Sequence, residues 1–293
     1  VTWCAMQGFG VLGLDSNGRL VLPLPDSPPS VEYIYRDKQK RYWLGTDNTL
    51  YSFDPVKRTH KSVATFDCAR LNCMVGDTEG NLYMSVWGTG FCIYNPDTDE
   101  RRNYNMYMKN DELGQLCNDW LLCMLIDHQG LLWLGTSSGV SCFNPATGSF
   151  LSQGWNQQLD GVMCFSICEL RDGNIAVGTD KGLYLYDRKG REMTSFPHGD
   201  MMRNKIITYI TQSNDGDIWC STSMGIWRYD MQQERFVGYI SGNGLAKKEY
   251  IIGVGMHTDV DLIYFGHNDG LTVFSPREVQ DHKPASESLM LTS

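Results

Sequence analysis

Short apolar runs alternate with short polar turns along the whole chain, and one apolar run returns seven times. Its clearest copies read LWLGT at residues 132–136 and YWLGT at residues 42–46. The copies are 40, 40, 50, 43, 43 and 45 residues apart and centre on Trp3, Trp43, Tyr83, Trp133, Ala176, Trp219 and Tyr264. A repeat of about 40–45 residues is typical of propellers, in which each repeat forms one small sheet. The spacing therefore predicts an all-β protein.

The repeat around Trp219 shows what each unit contains. Two β-branched and aromatic runs flank the turn sequence NDGD, and two further runs follow after short polar turns. These runs predict four strands, at residues 206–211, 218–222, 226–230 and 235–239. Four short antiparallel strands per repeat describe a propeller blade. The large aromatic residue in the second strand is expected to pack between neighbouring blades.

A glycine opens the third strand in most repeats, where the turn requires a positive φ. The glycines concerned are Gly90, Gly139, Gly182, Gly225 and Gly270. In the repeat around Trp43, Thr49 takes this position, and Asn48 is expected to adopt the positive φ instead.

Seven second strands predict a seven-bladed β-propeller of four-stranded antiparallel blades over residues 1–283. Only two residues precede Trp3, so the first blade is expected to be incomplete at the N-terminus. Residues 284–293 contain the apolar run 289–291 after a polar stretch with Pro284. This segment is predicted to supply a closing strand, either as a last outer strand or across the seam of the ring. One blade cannot bury both of its faces, so the ring must be nearly complete to be stable.

Charge and composition exclude several kinds of partner. The net charge is −9 and the sequence pI is near 5.1, which argues against nucleic acid and against an anionic membrane surface. No run approaches the ~18 apolar residues of a membrane span. The N-terminus has no basic-then-apolar signal pattern. The chain is accordingly expected not to insert into a membrane itself.

The ten cysteines are predicted to be mostly free and buried. Cys164 and Cys168 are four residues apart in an extended run, roughly 13 Å, which is too far for a disulfide. Most of the others lie within apolar runs, where a thiol behaves as a small hydrophobe. No cysteine or histidine cluster has zinc-ligand spacing, so no metal site and no cofactor are predicted.

Several of these repeats resemble the two-component regulator propeller repeats of bacterial hybrid two-component sensors. The resemblance is carried by LWLGTSSGVSCFNP at residues 132–145, NGL at 243–245 and IYFGHNDGLTVFSP at 263–276. It extends over essentially the whole chain. Ala176 departs from the pattern by replacing the aromatic residue, and Ala5, Ser85 and Ser221 depart by replacing the motif glycine.

The resemblance implies one propeller of a periplasmic sensor region that signals to a histidine kinase. It implies a second propeller and a β-sandwich as neighbours, a possible homodimer, and breakdown products of complex glycans as ligands. It also implies a second role for residues 284–293, as a linker toward the β-sandwich.

Departures from the repeat collect on the face formed by the second-to-third-strand turns and the blade-to-blade connections. The step from Tyr83 to Trp133 is the longest, and its extra residues are expected between Arg101 and Trp120. Aromatic rings cover the apolar face of a sugar while amide and charged groups bind its hydroxyls. The candidate ligand-binding residues on this face are Trp87, Tyr104, Asn105, Asp119, Trp120, Trp155, Asn156, Arg203, Asn204, Lys248 and Glu249.

Two other functions fit the same sequence. The aromatic residues could anchor loops on a scaffold propeller, or meet a protein partner. A propeller lyase or hydrolase is the third hypothesis, and His267 beside Asn268 and Asp269 is the best-placed base. No nucleophile or paired carboxylate accompanies it, so no catalytic residues are predicted and the chain itself is expected not to be an enzyme.

Overall fold

A computed structural model describes residues 1–6, 10–15, 20–24, 27–28, 30–68, 70–108, 114–151, 154–239 and 248–279. Their strands form seven separate antiparallel sheets, five with four strands and two with three. The segments 243–245 and 284–293, on which part of the sequence analysis depends, lie outside the described residues.

The first three sheets follow one another along the chain. The first contains β1 (Thr2–Met6), β2 (Gly10–Leu14) and β3 (Leu20–Pro23). The second contains β4 (Tyr33–Arg36), β5 (Tyr42–Gly45), β6 (Thr49–Asp54) and β7 (Thr59–Thr65). The third contains β8 (Met74–Gly76), β9 (Leu82–Val86), β10 (Gly90–Asn95) and β11 (Glu100–Tyr104).

The remaining four sheets repeat this order. The fourth contains β12 (Leu121–Ile126), β13 (Leu132–Thr136), β14 (Gly139–Asn144) and β15 (Ser149–Phe150). The fifth contains β16 (Cys164–Glu169), β17 (Ile175–Thr179), β18 (Gly182–Asp187) and β19 (Glu192–Ser195). The sixth contains β20 (Ile207–Gln212), β21 (Ile218–Thr222), β22 (Gly225–Asp230) and β23 (Arg235–Tyr239), and the seventh β24 (Tyr250–His257), β25 (Ile263–His267) and β26 (Gly270–Phe274). Within the described ranges, three short 3₁₀ helices span Gly154–Leu159, Gly199–Met202 and Pro276–Glu278.

Each sheet is a meander in which consecutive strands pair, and the first strands of successive sheets contact one another. The predicted all-β class and the four-stranded antiparallel blades are confirmed. Because consecutive strands are antiparallel, the turns and connections lie at two opposite ends of the ring. We call the end with the second-to-third-strand turns and the sheet-to-sheet connections the upper face, and the end with the first-to-second-strand turns the lower face.

The second strands β9, β13, β17 and β21 are buried along their whole length. Where the motif glycine is present, as in β5 and β13, the neighbouring sheet lies directly against it. A Cβ on Gly135 would lie 2.9 Å from the Cys164 carbonyl oxygen of the fifth sheet, and one on Gly45 would lie 2.9 Å from the Leu71 carbonyl oxygen. Both distances are below ordinary van der Waals contact, so only glycine fits.

In three repeats the motif aromatic residue is held by a carboxylate six residues before it. Trp133 Nε1 donates to Asp127 Oδ2 at 2.7 Å, and Trp43 Nε1 donates to Asp37 Oδ2 at 2.8 Å. The hydroxyl of Tyr83 donates in the same way to Asp77 Oδ2. These three rings are buried, as predicted, and the lower turn supplies the acceptor that a buried N–H or O–H requires. Trp219 differs, because Ser213 takes the carboxylate position and the buried Trp219 Nε1 has no hydrogen-bond partner among the described residues.

The third-strand glycines have positive φ, for example 104° at Gly139, as predicted. The prediction for Asn48 was wrong, since neither Asn48 nor Thr49 has a positive φ. Thr46 closes this turn instead. Its amide donates to the Thr49 carbonyl oxygen at 3.1 Å, and its hydroxyl accepts from the Thr49 amide at 3.2 Å.

The first and seventh sheets each have three strands, and this is where the number of blades is decided. Among the described residues, β1 carries Trp3 and pairs only with β2, so the inner position of the first sheet holds no described strand. In the seventh sheet, the inner strand β24 exposes Ile251, Ile252, Val254 and Met256. The count of seven blades therefore stays a prediction.

Candidate functional site

Trp87 and Trp120 meet on the upper face between the third and fourth sheets. Their ring centroids are 4.8 Å apart and the rings are at 78°, an edge-to-face contact. Trp120 is 47% exposed, a large fraction for an indole, whereas Trp87 is only partly exposed. Gly88 has φ 81° and lies beside the Trp120 ring. The pair thus presents one ring to solvent and uses the other as its support.

The backbone on either side of Trp120 is fixed by hydrogen bonds. The Trp120 amide donates to Asn118 Oδ1 at 2.8 Å, and the Ser137 amide donates to the Trp120 carbonyl oxygen at 2.9 Å. Ser137 Oγ also donates to Asn118 Oδ1, at 3.0 Å. The Asn118 amide and the Ser137 hydroxyl therefore lie beside the Trp120 backbone, and an amide near an aromatic ring is part of the combination predicted for a sugar site.

Asp119, Tyr104 and Asn105 lie close to this pair but have structural contacts. Asp119 is buried, and its Oδ1 accepts from the Met106 amide at 2.7 Å. The Tyr104 ring stacks on Phe91 at 4.9 Å, within the apolar cluster of the third and fourth sheets. Asn105 Oδ1 accepts from the Tyr107 amide. These contacts shape the long connection 105–120, where the extra residues were expected.

The other predicted residues lie on different sectors of the upper face. Arg203 is mostly exposed and pairs with Asp200 at 3.3 Å. Asn204 has φ 61°, and its amide donates to the Lys181 carbonyl oxygen. The side chains of Trp155 and Asn156 lie outside the described part of the chain. The structure thus brings Trp87 and Trp120 together and leaves Arg203 and Asn204 on another connection.

Lys248 and Glu249 belong to a polar cluster around His267. Lys248 Nζ lies 2.6 Å from Asp269 Oδ2, and Asn268 Nδ2 donates to Glu249 Oε2 at 3.4 Å. Burial lowers the pKa of His267, the Lys248 ammonium lowers it further, and Asp269 opposes the shift. The imidazole is therefore neutral at pH 7. Its Nδ1 accepts from the Asp269 amide.

Three exposed apolar residues form an arc on the upper face that was not predicted from the sequence. Trp120, Met163 and Ile206 occupy equivalent positions before the inner strands of the fourth, fifth and sixth sheets. The carbonyl oxygen of each accepts a backbone N–H from the upper turn of its own sheet. Met163 is 45% exposed and Ile206 is 38% exposed. The residue before each inner strand, compared across the repeats, would have revealed this arc.

Among the described residues, no three His, Cys, Asp or Glu side chains form a set able to hold a metal ion. The described residues also include no helix of the length and apolarity that crossing a membrane requires. The upper face carries an aromatic platform, Trp87 and Trp120, with an amide and a hydroxyl group nearby. Trp120 is also part of the apolar arc.

Comparison with known proteins gives one sequence relative of note. No family model matches the chain. The chain is 24% identical over 256 residues to histidine kinase P4 of Formosa agariphila. The match covers 81% of this chain and 18% of that protein. The chain thus spans less than a fifth of the length of this relative.

Solved structures give matches over most of the chain. The extracellular domain of the putative one-component system BT4673 from B. thetaiotaomicron matches with a TM-score of 0.74 at 18% identity, over 96% of this chain and 40% of that one. The extracellular domain of the putative hybrid two-component system BT3049 from B. thetaiotaomicron matches with a TM-score of 0.66 at 18% identity, over 85% of this chain and 34% of that one. Virginiamycin B lyase from Staphylococcus aureus matches with a TM-score of 0.71 at 14% identity, over 92% of this chain and 89% of that one. The chain is thus a β-propeller whose structural neighbours include the extracellular domains of hybrid two-component systems of B. thetaiotaomicron.

Proposed function

We propose that this chain is a non-catalytic propeller in the periplasmic sensor region of a hybrid two-component system. In this proposal the upper face helps to bind a monosaccharide or oligosaccharide released from a complex glycan, and the parent protein signals through a histidine kinase. The adjoining propeller and β-sandwich would be its neighbours in the parent protein, which would act as a homodimer. Support comes from the structural neighbours and from the similarity to a histidine kinase.

The observation that carries the ligand proposal is the exposed ring of Trp120. An indole that is nearly half exposed leaves apolar area in water, and a supporting ring plus two backbone hydrogen bonds hold it there. A fixed ring loses little conformational entropy when a sugar stacks on it. In this proposal Asn118 and Ser137, which are hydrogen-bonded to the Trp120 backbone, bind hydroxyl groups of the same ligand.

The experiment is calorimetric titration of the protein with a panel of glycan oligosaccharides. Saturable binding is expected, and Trp120→Ala should weaken it by roughly fivefold to tenfold, since stacking of a sugar on one aromatic ring contributes on the order of 1–1.5 kcal/mol. Trp87→Ala should weaken it too, because the platform loses its support. Met231→Ala changes an exposed apolar residue on the lower face and should leave binding unchanged. Equal affinities for all four proteins would contradict the proposal.

The apolar arc favours a second candidate, a scaffold propeller that meets a protein partner through its upper face. Methionine and aromatic residues are enriched at protein interfaces, and Trp120, Met163 and Met224 are all exposed there. No binding of any saccharide, together with retained fold, would put this candidate ahead. Turnover of a glycan that is lost on His267→Ala would favour a lyase or hydrolase instead.

We also propose that the seven sheets are seven blades of one ring formed by residues 1–283. Removal of residues 284–293 distinguishes the two roles that the sequence left open for this segment. If the segment supplies a closing strand, its removal lowers the Tm. If it is a linker toward a following domain, the Tm of the propeller stays the same.

A further inference from the structure

Neighbouring sheets are braced to one another by polar contacts on the lower face. Between the second and third sheets, Gln39 Nε2 donates to the Thr78 carbonyl oxygen at 2.8 Å. Arg41 reaches across the same junction and pairs with Asp97 at 3.0 Å. It also donates to the Gly80 carbonyl oxygen at 3.4 Å. The turns of these two sheets are thereby held together.

Three further junctions are braced in related ways. Arg188 of the fifth sheet pairs with Asp127 of the fourth at 2.7 Å. Arg171 of the fifth sheet donates to the Asn214 carbonyl oxygen of the sixth, also at 2.7 Å. The amide of Asn214 in turn donates to Asp261 Oδ1 of the seventh sheet at 2.9 Å.

The junction between the third and fourth sheets is different. Within the part of the chain that the structure describes, no hydrogen bond or ion pair joins the turn 77–81 to the turn 127–131. The sequence explains this difference residue by residue. Glu79 replaces Gln39, and an ionised carboxylate has no N–H to donate to a carbonyl oxygen. Asn81 replaces Arg41 and Ala146 replaces Asp97, so neither partner of the ion pair is present.

An open cleft of about 680 Å³ occupies the place of the missing brace. This volume lies within the range of small-molecule sites, about 300–1,000 Å³. Ile93 of the third sheet and Ile126 of the fourth give it an apolar part. Its polar lining includes Glu79, Glu100 and Arg102. The cleft opens on the lower face, at the other end of the strands from Trp120.

The polar groups of the cleft fall into two sets. Asp77 is already bound by its own turn and by the Tyr83 hydroxyl, and Asn81 exchanges hydrogen bonds with Asp77 and Asn95. Among the described residues, Lys38, Glu79, Glu100 and Arg102 have no ion-pair partner, and all four line the cleft. Two free cations and two free anions favour a neutral ligand, because a ligand of either sign would meet two like charges.

We propose that this cleft is a second binding site, specific for a short neutral saccharide of two or three units. Saccharide hydroxyls both donate and accept, so one ligand can satisfy the carboxylates and the cationic groups together. The site goes beyond the proposed function, since it is built from different residues on the opposite face.

The test uses cellotriose, xylotriose and laminaritriose as probes and follows the side-chain amides of Asn81, Asn95 and Asn144 by NMR. At least one trisaccharide is expected to shift these resonances saturably. Arg102→Ala should weaken that binding by roughly tenfold, as loss of a charged hydrogen bond does. Arg235→Ala removes the same charge from another exposed strand position and should have no effect. Trp120→Ala should also have no effect, which separates this site from the upper face.

A reciprocal variant rebuilds the brace that the other junction has. Asn81→Arg with Ala146→Asp restores the two partners of the ion pair and should close the cleft and abolish the shifts at Asn95 and Asn144. Glu79→Gln, which restores only the donor, is the milder variant if the double change impairs folding, and it should weaken binding. The proposal is overturned if none of the three trisaccharides shifts these amides, or if Arg102→Ala, Glu79→Gln and the double variant all bind as the unchanged protein does.

Discussion

At the scale of single residues, Asp127 is the clearest example of how this fold joins its sheets. Its Oδ1 accepts from the amides of Gln129 and Leu131, and its Oδ2 accepts from Trp133 Nε1 and from Arg188. The Asp127 side chain is fully buried and that of Arg188 is 15% exposed. One carboxylate therefore orders its own turn, orients the motif tryptophan and binds the next sheet.

Asp127→Ala is expected to lower the free energy of unfolding by about 2–3 kcal/mol, because it removes the acceptor of the buried Trp133 N–H and one of the two carboxylates that pair with Arg188. Urea unfolding of the two proteins measures the difference. Asp99→Asn removes the charge from an exposed ion pair with Arg101, keeps a residue type that tolerates the positive φ of 59° at this position, and should cost less than about 1 kcal/mol. Similar losses for the two variants would contradict this account.

The polar cluster at His267 gives a prediction about pH. Lys248→Gln removes one cause of the lowered pKa of His267, so this pKa should rise toward its ordinary value of 6.5, while burial continues to hold it down. The pKa of Asp269, which Lys248 lowers, should rise too. NMR titration of the His267 ring measures the first shift, with Lys181→Gln as the control.

The sign of the effect on stability follows from the same shift. The folded protein favours the neutral imidazole, so this contribution to stability is fully present above the unfolded pKa and is lost as the pH falls through the folded pKa. Lys248→Gln should reduce that loss. A pKa of His267 that is unchanged in the variant would show that the ammonium has no influence on the ring.

At the scale of secondary-structure elements, the upper turns and the second strands explain why the repeat has its sequence. The motif threonine closes the upper turn by donating to the carbonyl oxygen three residues on, as Thr136 does to Gly139 and Thr222 does to Gly225. Gly135, the motif glycine before Thr136, lets the next sheet approach. The repeat thus encodes contacts both within a sheet and between sheets.

Gly135→Ala is expected to destabilise the protein by about 1–3 kcal/mol, because the added methyl group would lie 2.4 Å from Cys123 Sγ and 2.9 Å from the Cys164 carbonyl oxygen. Gly199→Ala is the control, since its methyl group would make only an ordinary contact with Phe196 at 3.5 Å. Thermal unfolding of both variants measures the difference. A Gly135→Ala protein as stable as the control would mean that adjacent sheets can separate without cost.

At the scale of the whole molecule, the ring is held by packing and polar braces and by no disulfide. All ten cysteines are free, as the sequence analysis expected for most of them, and half are fully buried. Burial raises the pKa of the Cys73 and Cys142 thiols to about 12, so they are not thiolates at neutral pH.

A reductant is therefore expected to leave the Tm of the protein unchanged in differential scanning fluorimetry. The thiols should react slowly with Ellman's reagent in the native protein, and all ten should react quickly in guanidinium chloride. A Tm that falls on reduction would contradict the free-thiol structure.

Local sequence determined much of the fold, because each strand is bounded by turn residues within a few positions. The strands predicted for the Trp219 repeat lie within one residue of the observed β20–β23. The same local pattern predicted that Trp87 and Trp120 lie on one face. Trp87 is in a second-to-third-strand turn and Trp120 is in a sheet-to-sheet connection, and both kinds of segment lie at the same end of the strands.

Only the tertiary structure decided what depends on distance across sheets. Trp87 and Trp120 come from different repeats, and their edge-to-face contact requires two neighbouring sheets at one particular separation. The partial burial of Tyr104 against Phe143 and the open junction beside Glu79 depend in the same way on what the adjacent sheet supplies. The sequence by itself determined the repeating sheet, because turns and strand alternation are local. The sites on the ring were decided by contacts between sheets, because residues far apart in the chain must meet to make them.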